Sequence, residues 1–299
     1  MEVAYEADLA RIAVDQDPIW VLSTQEGVPM TADEPRSIPS RLAPVLEALE
    51  LDQPRVVTAD ALSRLTEDLG IDTDGQQLAY ELRRLGWLIG LRTKGAWEFV
   101  PGARAGRFGA GDRHIELRAA LAVDAGFRGA LAMESAAVAL GLAGRAPDRE
   151  VLWVPPGRRV PKSFGDWRVV RLAVSEDAIA PVDGLPTWRV GTLLAGMAVR
   201  PDGFRDWPNV GEWLARAVSQ ADANSVARSL VGAPRAAWQR ASYLLATGGQ
   251  EAAAFDVFQQ APPGRGPAYL GPRQKKGQFD RRFEIVDSVL APSFSGVKP

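Results

Sequence analysis

Residues 56–101 read VVTADALSRLTEDLGIDTDGQQLAYELRRLGWLIGLRTKGAWEFVP, and this stretch decides the fold. After Thr58, a residue type that caps helix starts, Leu62, Leu65 and Leu69 recur at spacings of three and four, which predicts a first amphipathic helix. Gly70 ends it, because glycine accepts the left-handed conformation that follows a helix, and Ile71 can fold back onto the apolar face. Asp74 is placed to cap a second helix, with Leu78, Leu82 and Leu85 as its buried stripe. Residues 88–93 and 96–100 are rich in apolar and aromatic side chains and flank Lys94-Gly95, the pattern of a hairpin with a glycine turn. Two short helices, a tight turn and a β-hairpin are the element order of a winged helix-turn-helix.

The second helix carries a chemical signal. Gln76, Tyr80 and Arg83 share a face distinct from the leucine stripe, with Gln77 and Arg84 alongside. Glutamine and arginine make paired hydrogen bonds to adenine and guanine edges, and the second helix of this motif is the one that enters the major groove. Residues 83–107 contain six bases, Arg83, Arg84, Arg92, Lys94, Arg104 and Arg107, against one acid, Glu98, and phosphate is the natural partner of such a strip. Gln76, Gln77, Tyr80, Arg83, Arg84 and the wing residues Arg92 and Lys94 are therefore the candidate DNA contacts, with double-stranded DNA as the partner. Helix pairs with polar outer faces also serve purely protein contacts, so the pattern alone leaves that alternative open.

With 299 residues, 46% hydrophobic and 24% charged, the chain has the length and composition of two globular domains. A net charge of -2 argues against indiscriminate coating of nucleic acid and makes any DNA contact the work of a local patch. The absence of cysteine excludes disulfides, thiolate metal sites and cysteine nucleophiles. The acidic opening MEVAYEADLARIAVDQD has no basic start followed by an apolar core, and no apolar run reaches membrane-spanning length, so a cytoplasmic protein without membrane contact is expected.

Along the chain, residues 1–38 hold eight acids and two bases and read as an acidic extension, with a short helix at 2–14 and a strand at 19–22. Residues 39–51 place Leu42, Val45, Leu46 and Leu49 on one side of a helix, the third helix that a winged-helix core needs, and Arg55 leads into a short strand at 56–57. The winged-helix domain is expected over 39–107. The glycine-rich stretch PGARAGRFGAGDR marks a boundary and matches no phosphate-binding loop in its spacing; from it Arg104 and Arg107 can reach a backbone phosphate or the minor groove, and they and Arg55 are candidate contacts for nucleic acid or a partner. Residues 108–299 should then form a mixed α+β domain, helical in its second half: helices at 115–124 and 133–140, strands at 151–155 and 167–174, and helices at 208–219, 222–231 and 234–246. A Pro/Gly-rich tail groups Arg265, Arg273, Lys275, Lys276, Arg281 and Arg282 around Asp280 before a final strand. The last five of those bases form a second candidate contact for nucleic acid or a partner, although such clusters are electrostatic footprints and solvated loops carry them too.

Enzymatic chemistry has little to work with. His114 is the sole histidine, which rules out a histidine-based metal cage, and acid pairs such as Glu176-Asp177 and Glu284/Asp287 lack a supporting motif. Neither catalytic residues nor cofactors nor metals are expected. The nine tryptophans are scattered, as core residues are.

The order winged helix, ESAAVALGLAG (134–144), VLWVP, WRVGTLLAGMAVRP (188–201), AAWQRASYLLATGG (236–249) and LGPRQKKGQFDRRFEIVDSVL (270–290) resembles the AbiEi family, antitoxins of AbiE-type (type IV) toxin-antitoxin pairs, and its mycobacterial members in particular. The likeness covers about residues 39–290. It implies an N-terminal winged helix that binds inverted repeats of its own operator and represses the operon, and a C-terminal domain that counters a nucleotidyltransferase-like toxin, in a protein that is a monomer or weak dimer. Leu140 and Ala195 depart from the family pattern, where His and an acid are common, and the acidic extension lies outside it. The alternatives are a winged-helix transcriptional regulator whose second domain senses a ligand or partner, and an enzyme that its winged helix delivers to nucleic acid.

Overall fold

Thr58 and Asp74, the two residues placed as helix caps, hold those positions in the computed structural model of the chain, which describes residues 38–104 and 111–290. A short 3-10 turn (Ser40–Leu42) leads into α1 (Ala43–Asp52), followed by β1 (Val56–Thr58), α2 (Ala59–Asp68), α3 (Gly75–Arg84), β2 (Leu88–Gly90) and β3 (Ala96–Phe99). The Thr58 hydroxyl accepts a hydrogen bond from the Ala61 N–H, and the Asp74 carboxylate accepts from the N–H groups of Gln76 and Gln77, satisfying donors that a helix start leaves open. Between the helices, Gly70 adopts φ +66°, and Ile71 N–H returns to the Thr66 carbonyl to close the first helix. The three strands pair antiparallel in the order β1-β3-β2, with Val57 opposite Trp97 and Ile89 opposite Glu98. The expected hairpin is thus present but shorter: its strands end at Gly90 and Phe99, with Gly95 at φ +78° in the turn. Leu46, Leu62, Leu78, Leu82 and Phe99 meet in one buried cluster, with Leu65 and Leu85 packed against it; Leu69, expected in the stripe of the first helix, is instead 38% exposed, because it falls at the C-cap, past the last turn of α2.

The remainder is mixed α+β. After α4 (Ile115–Val123) come β4 (Ala130–Leu131), α5 (Met133–Ala139), β5 (Val151–Trp153), β6 (Arg168–Val170), β7 (Ile179–Val182) and β8 (Leu185–Trp188). The five strands form a mixed sheet in the order β6-β5-β4-β8-β7. Helices α6 (Val190–Val199), α7 (Trp207–Gln220), α8 (Ala223–Ser229), α9 (Arg235–Thr247) and α10 (Glu251–Gln259) follow, then a small sheet of β9 (Ala268–Leu270), β10 (Gln278–Asp280) and β11 (Ile285–Asp287) in the order β10-β11-β9. The expected helices appear within a few residues of their sequence bounds, and Asp222 caps α8 as its position suggested. Residues 167–174 pair only over Arg168–Val170, because the strand-like run continues beyond the length of its partner β5. The largest core packs α6, α7 and α9 with the sheet around Trp188, Leu193, Trp213 and Leu244. Every tryptophan among the described residues is buried. The helix expected at 2–14, the strand at 19–22 and Arg107 lie outside the described residues.

Candidate nucleic-acid interface

Helix α3 presents two faces of different chemistry. Leu78, Ala79 and Leu82 are wholly buried, whereas Gln76, Gln77, Tyr80, Arg83 and Arg84 are all exposed, Tyr80 at 71%. The opposite side of the helix is gripped by the core, so the amides, the phenol and the two guanidiniums stand on a ridge of fixed orientation. Arg83 and Arg84 form no ion pair among the described residues, and Glu81 on the flank is taken by Arg41. The helix is seated by a contact that the sequence reading missed. Gly75, its first residue, packs so closely on α2 that an added Cβ would lie 2.0 Å from the Ala59 carbonyl oxygen and 2.7 Å from the Ser63 backbone nitrogen. The Gly75 N–H also donates to the Ser63 hydroxyl at 3.0 Å. A glycine at a helix start looks unremarkable in sequence; the close crossing is visible only in three dimensions.

The wing divides the expected contacts. Lys94 at the hairpin turn is exposed and makes no ion pair among the described residues. Arg92 is also exposed, but its guanidinium lies 2.7 Å from the Asp166 carboxylate, and that hydrogen bond holds the Asp166 carboxyl below the usual aspartate range. Behind it, Glu116 of α4 accepts from the backbone N–H groups of Arg92 and Thr93 and from the Thr93 hydroxyl at 2.8–3.1 Å. The hairpin tip is therefore clamped by acids from residues beyond 111.

Arg55, expected as a contact for nucleic acid or a partner, is likewise engaged. It sits 2.7 Å from Asp183 and 3.5 Å from Asp112, while Arg118 bonds both of those carboxylates. The hydrogen bond from Arg55 is the main reason that the Asp183 carboxyl lies below its ordinary range. Four charges thus form one alternating network between β1, α4 and the turn joining β7 to β8. The pairing itself left no sign in the sequence, since the partners are separated by 57 to 128 positions apart from the Arg118–Asp112 pair, although Asp183 belongs to an Asp183-Gly184 hairpin turn with both residues at positive φ.

In the tail, Arg273, Lys275, Lys276 and Arg281 are exposed, with Arg273 stacked over the Tyr269 ring at 5.1 Å. Arg282 is instead held by Asp280 at 2.6 Å and Glu251 at 2.7 Å. This group lies in and around β10, away in sequence and in element packing from α3; Arg104 falls in a single 3-10 turn after β3. His114 occupies the start of α4, with its Nε2 3.2 Å from Glu150 Oε2. Among the described residues no three acids or histidines gather as metal ligands, and no helix is long and apolar enough to cross a membrane.

A helix-turn-helix with a β-wing, joined to a mixed α+β half built on a five-stranded sheet and a helical layer, defines the class of protein. The model of the AbiEi antitoxin C-terminal domain matches residues 129–247, from the approach to β4 through α9. The crystal structure of the RV2827C protein from Mycobacterium tuberculosis superposes with a TM-score of 0.74 at 30% sequence identity, covering 87% of this chain and 96% of that one. The chain belongs to the AbiEi antitoxin family. No curated protein sequence matches it significantly.

Proposed function

We propose that this antitoxin is also the repressor of its own operon, reading operator inverted repeats with residues 39–107 and countering a nucleotidyltransferase-like toxin with residues 108–299, in the cytoplasm and without catalysis of its own. The observation that carries the DNA-binding half is the outer face of α3: Gln76, Gln77, Tyr80, Arg83 and Arg84 are exposed together on a helix whose other side is buried. Those side chains have the donors and acceptors that read purine edges, and the second helix of such a motif lies in the major groove. Lys94 supplies a phosphate contact beside it. The family match over residues 129–247 supports the antitoxin role, and an antitoxin implies a toxin as its partner.

The test is a gel-shift titration of the full chain on DNA from upstream of its own reading frame. Replacing Arg83 or Arg84 by Ala is expected to weaken specific binding by about 1–3 kcal/mol where the side chain reads a guanine. Unchanged binding by the double variant rejects the assignment of α3. Co-expression with the product of the adjacent gene tests the second half: copurification or growth rescue supports it, and failure of both overturns it.

A further inference from the structure

We infer that the second half of the chain holds a binding site for a small phosphate-bearing ligand, in the cleft where the loop before β5 faces the start of α7. The cavity has a volume of about 340 Å³, within the range that small-molecule sites occupy. Its walls carry four guanidiniums, those of Arg145, Arg149, Arg168 and Arg205. Arg168 is anchored: it pairs with the buried Glu134 and donates to the Gly203 carbonyl at 2.7 Å. Glu134 spends its other oxygen on the Arg205 backbone N–H, so the one buried carboxylate at the site is fully used and leaves nothing for the remaining guanidiniums.

Those three are what make the cleft a receptor. The side chains of Arg145 and Arg205 have neither an ion-pair nor a hydrogen-bond partner among the described residues, and Arg149 donates only to the Asp166 carbonyl. Asp148 and Asp206 share the wall, and Asp206 accepts from the Asn209 side chain at 2.6 Å. Three cations with unspent donors outweigh these two acids, and helix α7, which begins at Trp207, adds the positive end of its dipole. Planar guanidiniums with several free N–H groups bind phosphate oxygens in pairs, and with Glu134 taken by Arg168 the surplus of guanidiniums over carboxylates favours such an anion over a cation or an apolar ligand. Inorganic pyrophosphate and the phosphate chain of a nucleotide share that chemistry.

Isothermal titration calorimetry of the full chain in phosphate-free buffer, with pyrophosphate and with a nucleoside triphosphate as separate titrants, tests the site. Saturable one-to-one binding is expected, weakened roughly tenfold by Arg145→Ala or Arg205→Ala, as the loss of one charge-assisted contact implies, and abolished by the double variant. Arg128→Ala, an exposed arginine elsewhere, should bind as the parent does. Tighter binding of the triphosphate assigns the site to a nucleotide, and equal binding assigns it to the anion alone; either supports the inference. Because the side chains of Arg145 and Arg205 are exposed and have no partner among the described residues, their variants should keep the parent melting temperature. Absence of binding to both titrants, or binding retained by the double variant, overturns the inference.

Discussion

The guanidinium of Arg92, at the end of the hairpin, lies 2.7 Å from the carboxylate of Asp166, which belongs to the segment just before β6. An arginine of the proposed DNA-binding wing is thereby paired within the chain. Both side chains are more than half exposed, so the pair contributes at most about 1 kcal/mol and yields readily to a competing phosphate. Asp166→Ala should therefore leave folding intact and tighten DNA binding modestly. If Arg92 then reaches a phosphate, the dependence of log K on log salt should steepen by about 0.9. Gel shifts of parent and variant at several salt concentrations measure this, and parallel slopes would show that removing Asp166 gives Arg92 no new phosphate contact.

Gly75 gives a sharper test of the helix-turn-helix. A methyl group there meets a carbonyl oxygen at 2.0 Å and a backbone nitrogen at 2.7 Å, neither of which is the end of a flexible side chain. Helix α3 must lift from α2, and overpacking of this kind typically costs about 1–3 kcal/mol. Gly75→Ala is expected to lower the melting temperature and weaken operator binding together, although residue 75 is buried against α2 rather than on the exposed face of α3. Ala at the neighbouring exposed position, Gln76→Ala, should weaken binding without the loss of stability. A Gly75→Ala protein as stable as the parent would contradict the close crossing.

These two cases mark what sequence discloses and what it conceals. The helix pair, its caps and the outward face of α3 follow from local periodicity and capping chemistry, and all were readable over residues 58–85. In the second half, the helices from α7 to α9 carried start signals in Pro208, Asp222 and Pro234 and were found. Strand β4, only two residues long and wholly buried, was not, and neither was the β7–β8 hairpin, whose Asp183-Gly184 turn is a hairpin signal but whose strands carry Pro181 and Pro186, residues that read against a strand. The acids that hold Arg55 and Arg92 were invisible for another reason: ion pairs between distant loops leave no periodic trace. A basic residue in sequence is only a cation without an address, as Arg282 also shows by turning to Asp280 and Glu251.

Tyr243 of α9 ties the C-terminal sheet to the helical core. Its hydroxyl donates to the carboxylate of Asp287, 1% exposed, at 2.8 Å, and burial, followed by that acid, pushes the Tyr243 phenol well above its usual range. Asp287 also accepts from the N–H groups of Val289 and Leu290. Tyr243→Phe keeps the ring but withdraws a donor from a buried carboxylate, a loss expected to cost about 1–3 kcal/mol. Denaturant unfolding measures it, and a change under about 0.5 kcal/mol, the range typical of surface substitutions, would mean that the hydroxyl is dispensable.

Glu150, at the edge of β5, should make stability depend on pH. Burial raises its pKa, but hydrogen bonds from His114, Ser135 and Arg113 outweigh that and hold the carboxyl below its ordinary value of 4.5. A carboxyl whose pKa is lower folded than unfolded binds its proton more tightly in the unfolded chain. Its stabilisation is therefore complete above the unfolded value and is lost as pH falls through the folded one. Melting curves of the parent should drop in this acid window by more than those of Glu150→Gln, which has no proton to take up. The gap between the two proteins should be widest at neutral pH and close towards the acid end. A gap that stays constant across the window would show that Glu150 acts there through its packing and neutral hydrogen bonds rather than through its charge.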